Sequence, residues 1–230
     1  MVKNGGLLMS ILVKIRILLL FAAISLLLSG CFQQQTPSEK MYTVLEKVVA
    51  SEKGFEEQQD PLVAAESKEE KLYNQIIKLG MKQYDQIVKL SDEALAITDK
   101  RQKLMEKETQ SLKESEKQFK KVQSLQNELE KKELKQQVNQ LYTIMMKRYR
   151  AHDVLYKQYK QGITYDRQLY QMLKDKNVSL DALEGQINKL NDSYKQIVEA
   201  NNQFNDLTKQ YNEKKQEFYQ TAGLKTKQTS

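Results

Sequence analysis

The chain has 230 residues, of which 29% are charged, two are proline and one is cysteine. A single cysteine excludes an internal disulfide, and a composition rich in Lys, Glu, Gln and Leu favours helices over strands. Strand patterns do not alternate with helix patterns, which excludes the two-lobed α/β body of solute-binding lipoproteins.

The first 30 residues have the pattern of an export signal. Three basic residues and no acidic residue precede an uncharged run of 14 residues from Ile17 to Gly30. This run is shorter than the roughly 20 apolar residues that a membrane-spanning helix needs. We therefore predict a signal peptide over residues 1–30 rather than a permanent membrane span.

Cys31 ends the string Leu28-Ser29-Gly30-Cys31, which is similar to the bacterial lipobox. We expect the thiol to carry a diacylglyceryl thioether and the signal peptidase to recognise Leu28, Ser29 and Gly30 and cleave before the cysteine. Each buried methylene contributes about 0.8 kcal/mol, so a diacyl anchor is stable. The predicted location is the extracytoplasmic face of the cell membrane. The alternative is an ordinary signal followed by a buried cysteine.

Loss of the signal peptide lowers the net charge. The chain holds 37 basic and 30 acidic residues, and three of the basic ones lie within residues 1–30, so residues 31–230 carry +4. Export and this modest charge argue against nucleic acid as a partner.

The remaining chain is predicted to be a helical domain over residues 37–222, after a short lipid-anchored tether at 31–36. Apolar residues at helical spacing predict four helices before a polar tail at 223–230. An alternative break lies at 90–94, where Ser91 could cap a new helix. Heptad spacing and short connections favour an elongated, antiparallel bundle with coiled-coil-like packing, and a monomer over an oligomer. The predicted helices are 37–58, 62–122, 128–175 and 179–219.

Few residues have the chemistry of a catalytic or metal site. His152 is the only histidine, and Asp153 points about 100° away from it on a helix, so a core-edge histidine is favoured over a ligand. The sequence contains no nucleophile elbow, phosphate loop or HExxH motif. Asn201 and Thr208 are expected to set helix register. We predict no enzyme activity, no cofactor and no metal site.

The predicted third helix is strongly basic. Residues 131–176 hold eleven basic and four acidic residues, whereas residues 36–75 hold nine acidic and five basic. Two interpretations are equally good: contact with an anionic polymer or lipid surface, and packing against the acidic first helix. The candidate polyanion contacts are Lys131, Lys132, Lys135, Lys147, Arg148, Arg150, Lys157 and Lys160.

Six tyrosines lie on the same predicted helix, three of them at a spacing of seven residues. Tyrosine rings stack on sugars, but a heptad row more often flanks a bundle core and sends its hydroxyls to water. We favour the core-edge interpretation. The six are Tyr142, Tyr149, Tyr156, Tyr159, Tyr165 and Tyr170.

Two stretches carry a family resemblance: SEKMYTVLEKVVASEKGFEEQQDPL from Ser38 and LGMKQYDQIVKLSDEAL from Leu79. The chain resembles the YkyA-type cell-wall-binding lipoproteins of Bacillus-like bacteria over the signal, the lipobox and nearly all that follows. The resemblance implies an exported helical envelope lipoprotein and assigns a specific role to Cys31 alone. We expect a non-enzymatic, membrane-anchored rod that binds the cell wall or its anionic polymers. The alternative is a scaffold or inhibitor of another envelope protein.

Overall fold

The structure is a computed structural model that describes residues 35–79 and 81–224. Those residues contain six α-helices and a 3-10 turn at Met81–Gln83, and no strand. The predicted signal peptide, Cys31 and most of the tether and polar tail lie outside the described residues. The helices are α1 Pro37–Ser51, α2 Lys53–Ile76, α3 Tyr84–Phe119, α4 Val122–Gln126, α5 Lys132–Leu173 and α6 Leu180–Thr221.

The long helices form a bundle of four antiparallel rods. Because only Glu52 separates α1 from α2, the two make one rod, which packs on α3; α3 packs on α5, and α5 on α6. Aromatic pairs close the remaining side, with ring centroids 4.9 Å apart for Tyr42–Tyr219 and 5.6 Å apart for Phe55–Phe204. A helix of 42 residues such as α5 is roughly 60 Å long. The predicted all-α antiparallel bundle is confirmed.

Side-chain caps fix two of the helix starts. Thr36 Oγ1 accepts a hydrogen bond from the Glu39 amide, and the Glu39 carboxylate accepts one from the Thr36 amide, so the chain enters α1 through a capping box before Pro37. Ser179 caps α6 by accepting a hydrogen bond from the Ala182 amide, which confirms the predicted cap.

The main differences from the predicted helix boundaries lie around Pro61 and between Ile76 and Tyr84. The chain does not break at Pro61, which lies inside α2; buried Leu62 and Ala65 next to it hold the helix despite the lost backbone donor. The predicted single helix over 62–122 is instead two antiparallel helices that reverse direction between Ile76 and Tyr84. The alternative break at 90–94 is also wrong, because α3 runs straight through it.

The apolar core consists of two clusters separated by a polar layer. One cluster includes Phe55, Leu112 and Phe204 and lies toward the start of α1; the other includes Leu62, Met105 and Leu155 and lies toward the hairpin after α2. Between them, each of the four rods contributes one polar side chain to the same level of the bundle. These side chains are Gln59, Glu108, His152 and Asn201, which are linked by hydrogen bonds to Glu108 or line the same pocket.

Candidate functional site

The two ends of the bundle differ in their connection to the rest of the chain. The N-terminal end holds the start of α1 together with α4 and the end of α6, as the ion pair of Lys40 with Glu128 and the hydrogen bond from Tyr219 to Glu46 show. The far end holds the connections at 77–83 and 174–179. Because Cys31 precedes α1 by a few residues, a lipid on Cys31 would place the N-terminal end beside the membrane.

Arg148 was predicted to contact a polyanion, and this prediction is wrong. Its side chain is 1% exposed, and its Nη1 and Nη2 atoms donate to the Glu52 carboxylate at 2.7 and 2.9 Å. Its Nε atom donates to Thr208 Oγ1 at 2.8 Å. Arg148 follows Leu141 and Met145 on the core-facing seam of α5, so its charge points inward and meets a buried partner.

The other seven candidate cations lie at the surface. Six are exposed and Lys135 is half-buried. Within the described part of the chain, none of the seven forms an ion pair with a carboxylate. Packing against the acidic first helix therefore explains Arg148 but leaves these seven charges to solvent. They are Lys131, Lys132, Lys135, Lys147, Arg150, Lys157 and Lys160.

Five of the six exposed cations fall into two groups, one at the start of α5 and one near its middle, and Lys160 follows the second group. Lys131 and Lys132 lie at the N-terminal end of the bundle, whereas Lys147, Arg150 and Lys157 follow one stripe near the middle at helical spacing. Lys147 and Arg150 also line an open groove between α5 and α6, which Glu199 and Asp206 line from the other side. The stripe thus presents basic side chains to solvent, and the acidic residues of the groove lie on the α6 side.

Three of the six tyrosines of α5 are buried in the core, and the other three are half-buried beside it. Tyr149, Tyr159 and Tyr170 are buried, and Tyr142 stacks on Phe119 with ring centroids 5.8 Å apart. The core interpretation is confirmed, but the buried hydroxyls bind protein partners rather than water. Tyr149 shares a 2.7 Å hydrogen bond with Ser115. No free tyrosine row is left for stacking on sugars.

A buried charge cluster surrounds Arg101, which is 2% exposed. Its Nη1 atom donates to Glu69 at 2.7 Å and to Asp166 at 2.9 Å, and its Nε atom donates to the Tyr159 hydroxyl at 2.9 Å. The Tyr194 hydroxyl donates to Asp166 at 2.7 Å. The cluster ties α2, α3, α5 and α6 together in the half of the bundle nearer the far end.

Carboxylates outnumber the cation in this cluster. The Tyr159 hydroxyl also donates to Glu66 at 2.7 Å, so three carboxylates lie around one guanidinium. Burial raises the pKa of Glu69 to about 7, although Arg101 opposes the shift. Burial likewise raises the pKa of Asp166 and of Glu66, again against Arg101. Burial therefore favours the protonated form of these carboxyl groups, since ionising all three beside a single guanidinium is unfavourable.

A second cluster lies where α1 passes into α2. The Glu52 carboxylate accepts the hydrogen bonds of Arg148, and its Oε1 atom also accepts a hydrogen bond from Ser115 at 2.7 Å. At the break between α1 and α2, the Ser111 hydroxyl bridges two backbone groups. It donates a hydrogen bond to the Ser51 carbonyl at 2.7 Å and accepts one from the Phe55 amide at 2.9 Å. These contacts fix the junction of the first rod against α3.

The polar layer contains the third buried pair. His152 Nε2 lies 3.0 Å from Glu108 Oε1, and Gln59 donates to the other oxygen of Glu108 at 2.9 Å. His152 is 2% exposed, so the core interpretation of this histidine is confirmed. Above the pair, a pocket of about 60 Å³ opens between α2 and α6, and Asn201 lines it.

Four buried charged residues were not predicted to lie in the core: Glu52, Glu69, Arg101 and Glu108. Their signal was present, since Arg101 and Glu108 continue the 3-4 spacing of Ile97, Leu104 and Leu112 along α3. Glu52 and Glu69 occupy equivalent positions between apolar residues of the first rod. Charged residues at core positions of one helix predict opposite charges at core positions of another.

The described residues contain neither a metal-binding cluster nor a membrane-spanning helix. No group of three or more His, Cys, Asp or Glu side chains in this part of the chain could hold a metal ion. No helix over 35–79 or 81–224 is long and apolar enough to cross a membrane.

The fold and its buried clusters define an all-α bundle protein of four antiparallel rods joined by core ion pairs. The chain belongs to the YkyA family, described as "Putative cell-wall binding lipoprotein", which matches residues 36–221. It is 36% identical over 209 residues to the "Uncharacterized lipoprotein YkyA" of Bacillus subtilis strain 168, covering 91% of this chain and 93% of that protein. The family resemblance is confirmed.

A solved structure shares the fold. The crystal structure of a conserved protein of unknown function from Staphylococcus aureus superposes with a TM-score of 0.70 at 18% identity. The match covers 81% of this chain and 97% of that one. At this identity the likeness shows the fold alone.

Proposed function

We propose that this family member is a lipid-anchored envelope lipoprotein whose rod binds the cell wall through its anionic polymers, without catalysing a reaction. The observation that carries the proposal is the set of seven surface cations on α5 and at its N-cap, Lys131, that lack carboxylate partners among the described residues. Family membership supports an envelope lipoprotein. The buried position of Arg148 removes it from the proposed contact surface.

The geometry suits a contact that begins away from the membrane. With the lipid on Cys31, Lys131 and Lys132 lie near the headgroups, and the stripe of Lys147, Arg150 and Lys157 lies farther along a rod roughly 60 Å long. Each Lys or Arg near an anionic surface contributes about 1 kcal/mol. The stripe and Lys160 are therefore the cations that reach toward the wall.

The test is a sedimentation assay of the detergent-solubilised protein with purified wall. A variant with Lys147, Arg150, Lys157 and Lys160 changed to Gln should lose most of its binding at low salt. The wild-type binding should also weaken as salt rises, because screening shortens the reach of charges. Wall stripped of its phosphate-bearing polymers should retain little protein.

A matched variant controls for the change in net charge. It replaces four exposed lysines of α3, none of them ion-paired in the described part of the chain, and should bind wall like the wild type. An equal loss of wall binding in both variants would mean that net charge, not the α5 surface, determines binding, and this would contradict the proposal. Absence of wall binding by the wild type at low salt would refute it. The four control lysines are Lys100, Lys103, Lys107 and Lys113.

Exposed apolar side chains at the far end favour a second function, scaffolding or inhibition of another envelope protein. Ile77 is 51% exposed and Leu180 is 83% exposed, and both lie at the connections of that end. A protein partner that covers both side chains would remove their apolar surface from water. Recovery of one stoichiometric protein partner, lost on changing Leu180 to Ser, together with no wall affinity, would favour this function.

A further inference from the structure

The pocket of the polar layer has a charged wall and an apolar wall. It opens between α2 and α6, which face each other across the least tightly packed side of the bundle. Leu62, Val63 and Ile197 line it with apolar atoms, and Glu66 and Asn201 line it with polar atoms. Its volume of about 60 Å³ holds roughly four water-sized groups.

The carboxylate side of the pocket lacks a cation of its own. Arg101 is already shared between Glu69 and Asp166. One oxygen of Glu66 accepts the Tyr159 hydroxyl, and its other oxygen makes no hydrogen bond to a described residue. Nearby Glu108 adds further negative charge and, with burial, raises the pKa of Glu66. A cation in the pocket would relieve this repulsion.

Asn201 provides a second and independent sign of a ligand. Its side chain is 8% exposed, lines the pocket from α6, and makes no hydrogen bond to any residue that the structure describes. Since the rest of the residue is buried, the amide faces the pocket, and its hydrogen-bonding groups are open to whatever occupies that space. Its carbonyl oxygen can accept a hydrogen bond from a donor that also faces Glu66.

We propose that this pocket binds a primary alkylammonium group. The ammonium would donate to Glu66 and to the Asn201 carbonyl, and the alkyl stem would lie against Leu62, Val63 and Ile197. A neutral alcohol of the same length lacks the charge that the carboxylate selects, and a quaternary ammonium lacks the N–H donors. The proposal is independent of wall binding, since the pocket and the α5 stripe share no residue.

The test uses the detergent-solubilised protein labelled with ¹⁵N-asparagine and titrated with n-butylammonium chloride. We expect a saturable shift of the Asn201 side-chain amide resonances, and no saturable shift with n-butanol. The Glu66→Gln variant should bind at least tenfold more weakly, while its amide oxygen still accepts the Tyr159 hydroxyl. No saturable shift, an equal response to n-butanol, or unchanged affinity in Glu66→Gln would overturn the proposal.

Two further variants separate ligand contact from loss of fold. Glu199→Gln removes one carboxylate from an exposed position of α6 and should leave the affinity unchanged. Should Glu66→Gln prove unfolded by circular dichroism, Asn201→Ala takes its place, and at least a threefold loss is expected. A pentapeptide with a central lysine, compared with its norleucine analogue, distinguishes a peptide side chain from a free amine as the source of the ammonium.

Discussion

Arg148 of α5 and Glu52, the residue between α1 and α2, face each other in the core through two hydrogen bonds of 2.7 and 2.9 Å. They are 96 residues apart in sequence. Both groups are almost wholly buried, so the charge of each is compensated by the other rather than by water. The pair connects the α1–α2 junction to α5 and thereby fixes the axial register of the first rod against α5.

Removing one partner of this pair should destabilise the fold strongly. Arg148→Met leaves the Glu52 carboxylate buried without a cation and should lower the free energy of unfolding by about 3–5 kcal/mol. The double variant Glu52→Gln with Arg148→Met should recover part of this loss, because no charge stays buried. Urea unfolding followed by circular dichroism measures both. The surface pair of Lys40 and Glu128 provides the control. Lys40→Ala should lower the free energy of unfolding by at most about 1 kcal/mol.

The Arg101 cluster should make stability depend on pH. The pKa of Glu69 is raised to about 7 in the folded chain from 4.5, so the folded protein binds a proton that the unfolded chain releases. The stabilisation is present below about pH 4.5 and is lost as pH rises through about 7. Asp166 and Glu66 shift in the same direction.

Glu69→Gln should therefore reduce the loss of melting temperature between pH 5 and pH 8. The corresponding change in unfolding free energy is at most on the order of 3 kcal/mol. Glu56→Gln removes an exposed carboxylate of the same helix and should leave the pH profile of the wild type unchanged. A Glu69→Gln profile parallel to the wild type would show that this carboxylate does not take up the proton.

Two glycine substitutions should have opposite effects. A Cβ at Gly54 would lie 3.2 Å from Ser111 Oγ, the hydroxyl that bridges Ser51 and Phe55, so Gly54→Ala should disturb the α1–α2 junction and destabilise the protein by about 1–3 kcal/mol. Gly185 of α6 has no atom within 4 Å of its Cβ position. Gly185→Ala should stabilise the helix by about 0.5–1 kcal/mol. Thermal unfolding of both variants checks the signs.

The lipid anchor is testable in cells that make the full chain. Cys31→Ala should abolish incorporation of labelled palmitate and shift the protein out of the detergent phase in phase-separation experiments, because the thioether cannot form. Ser29→Ala retains a small residue before the cysteine and should keep both properties. Palmitate labelling that persists in Cys31→Ala would place the lipid elsewhere or refute lipidation of this residue.

The amino-acid sequence alone determined the class of fold. Helix-forming composition and apolar residues at 3-4 spacing specify amphipathic helices, and the buried stripe of each must meet another. Arg148, His152 and Asp166 also keep the 3-4 spacing of the apolar seam of α5, although Arg148 was expected to contact a polyanion. The buried position of all three follows from that seam.

Only the tertiary structure decided where the chain reverses and which charges meet. Apolar periodicity continues on both sides of the hairpin between Ile76 and Tyr84, because each helix has the same repeat whichever way it runs. Helix pairing then brings Arg101 to Asp166, 65 residues away, and Arg148 to Glu52. Periodicity reports the face of a single helix, whereas these contacts depend on the direction, neighbours and register of several helices at once.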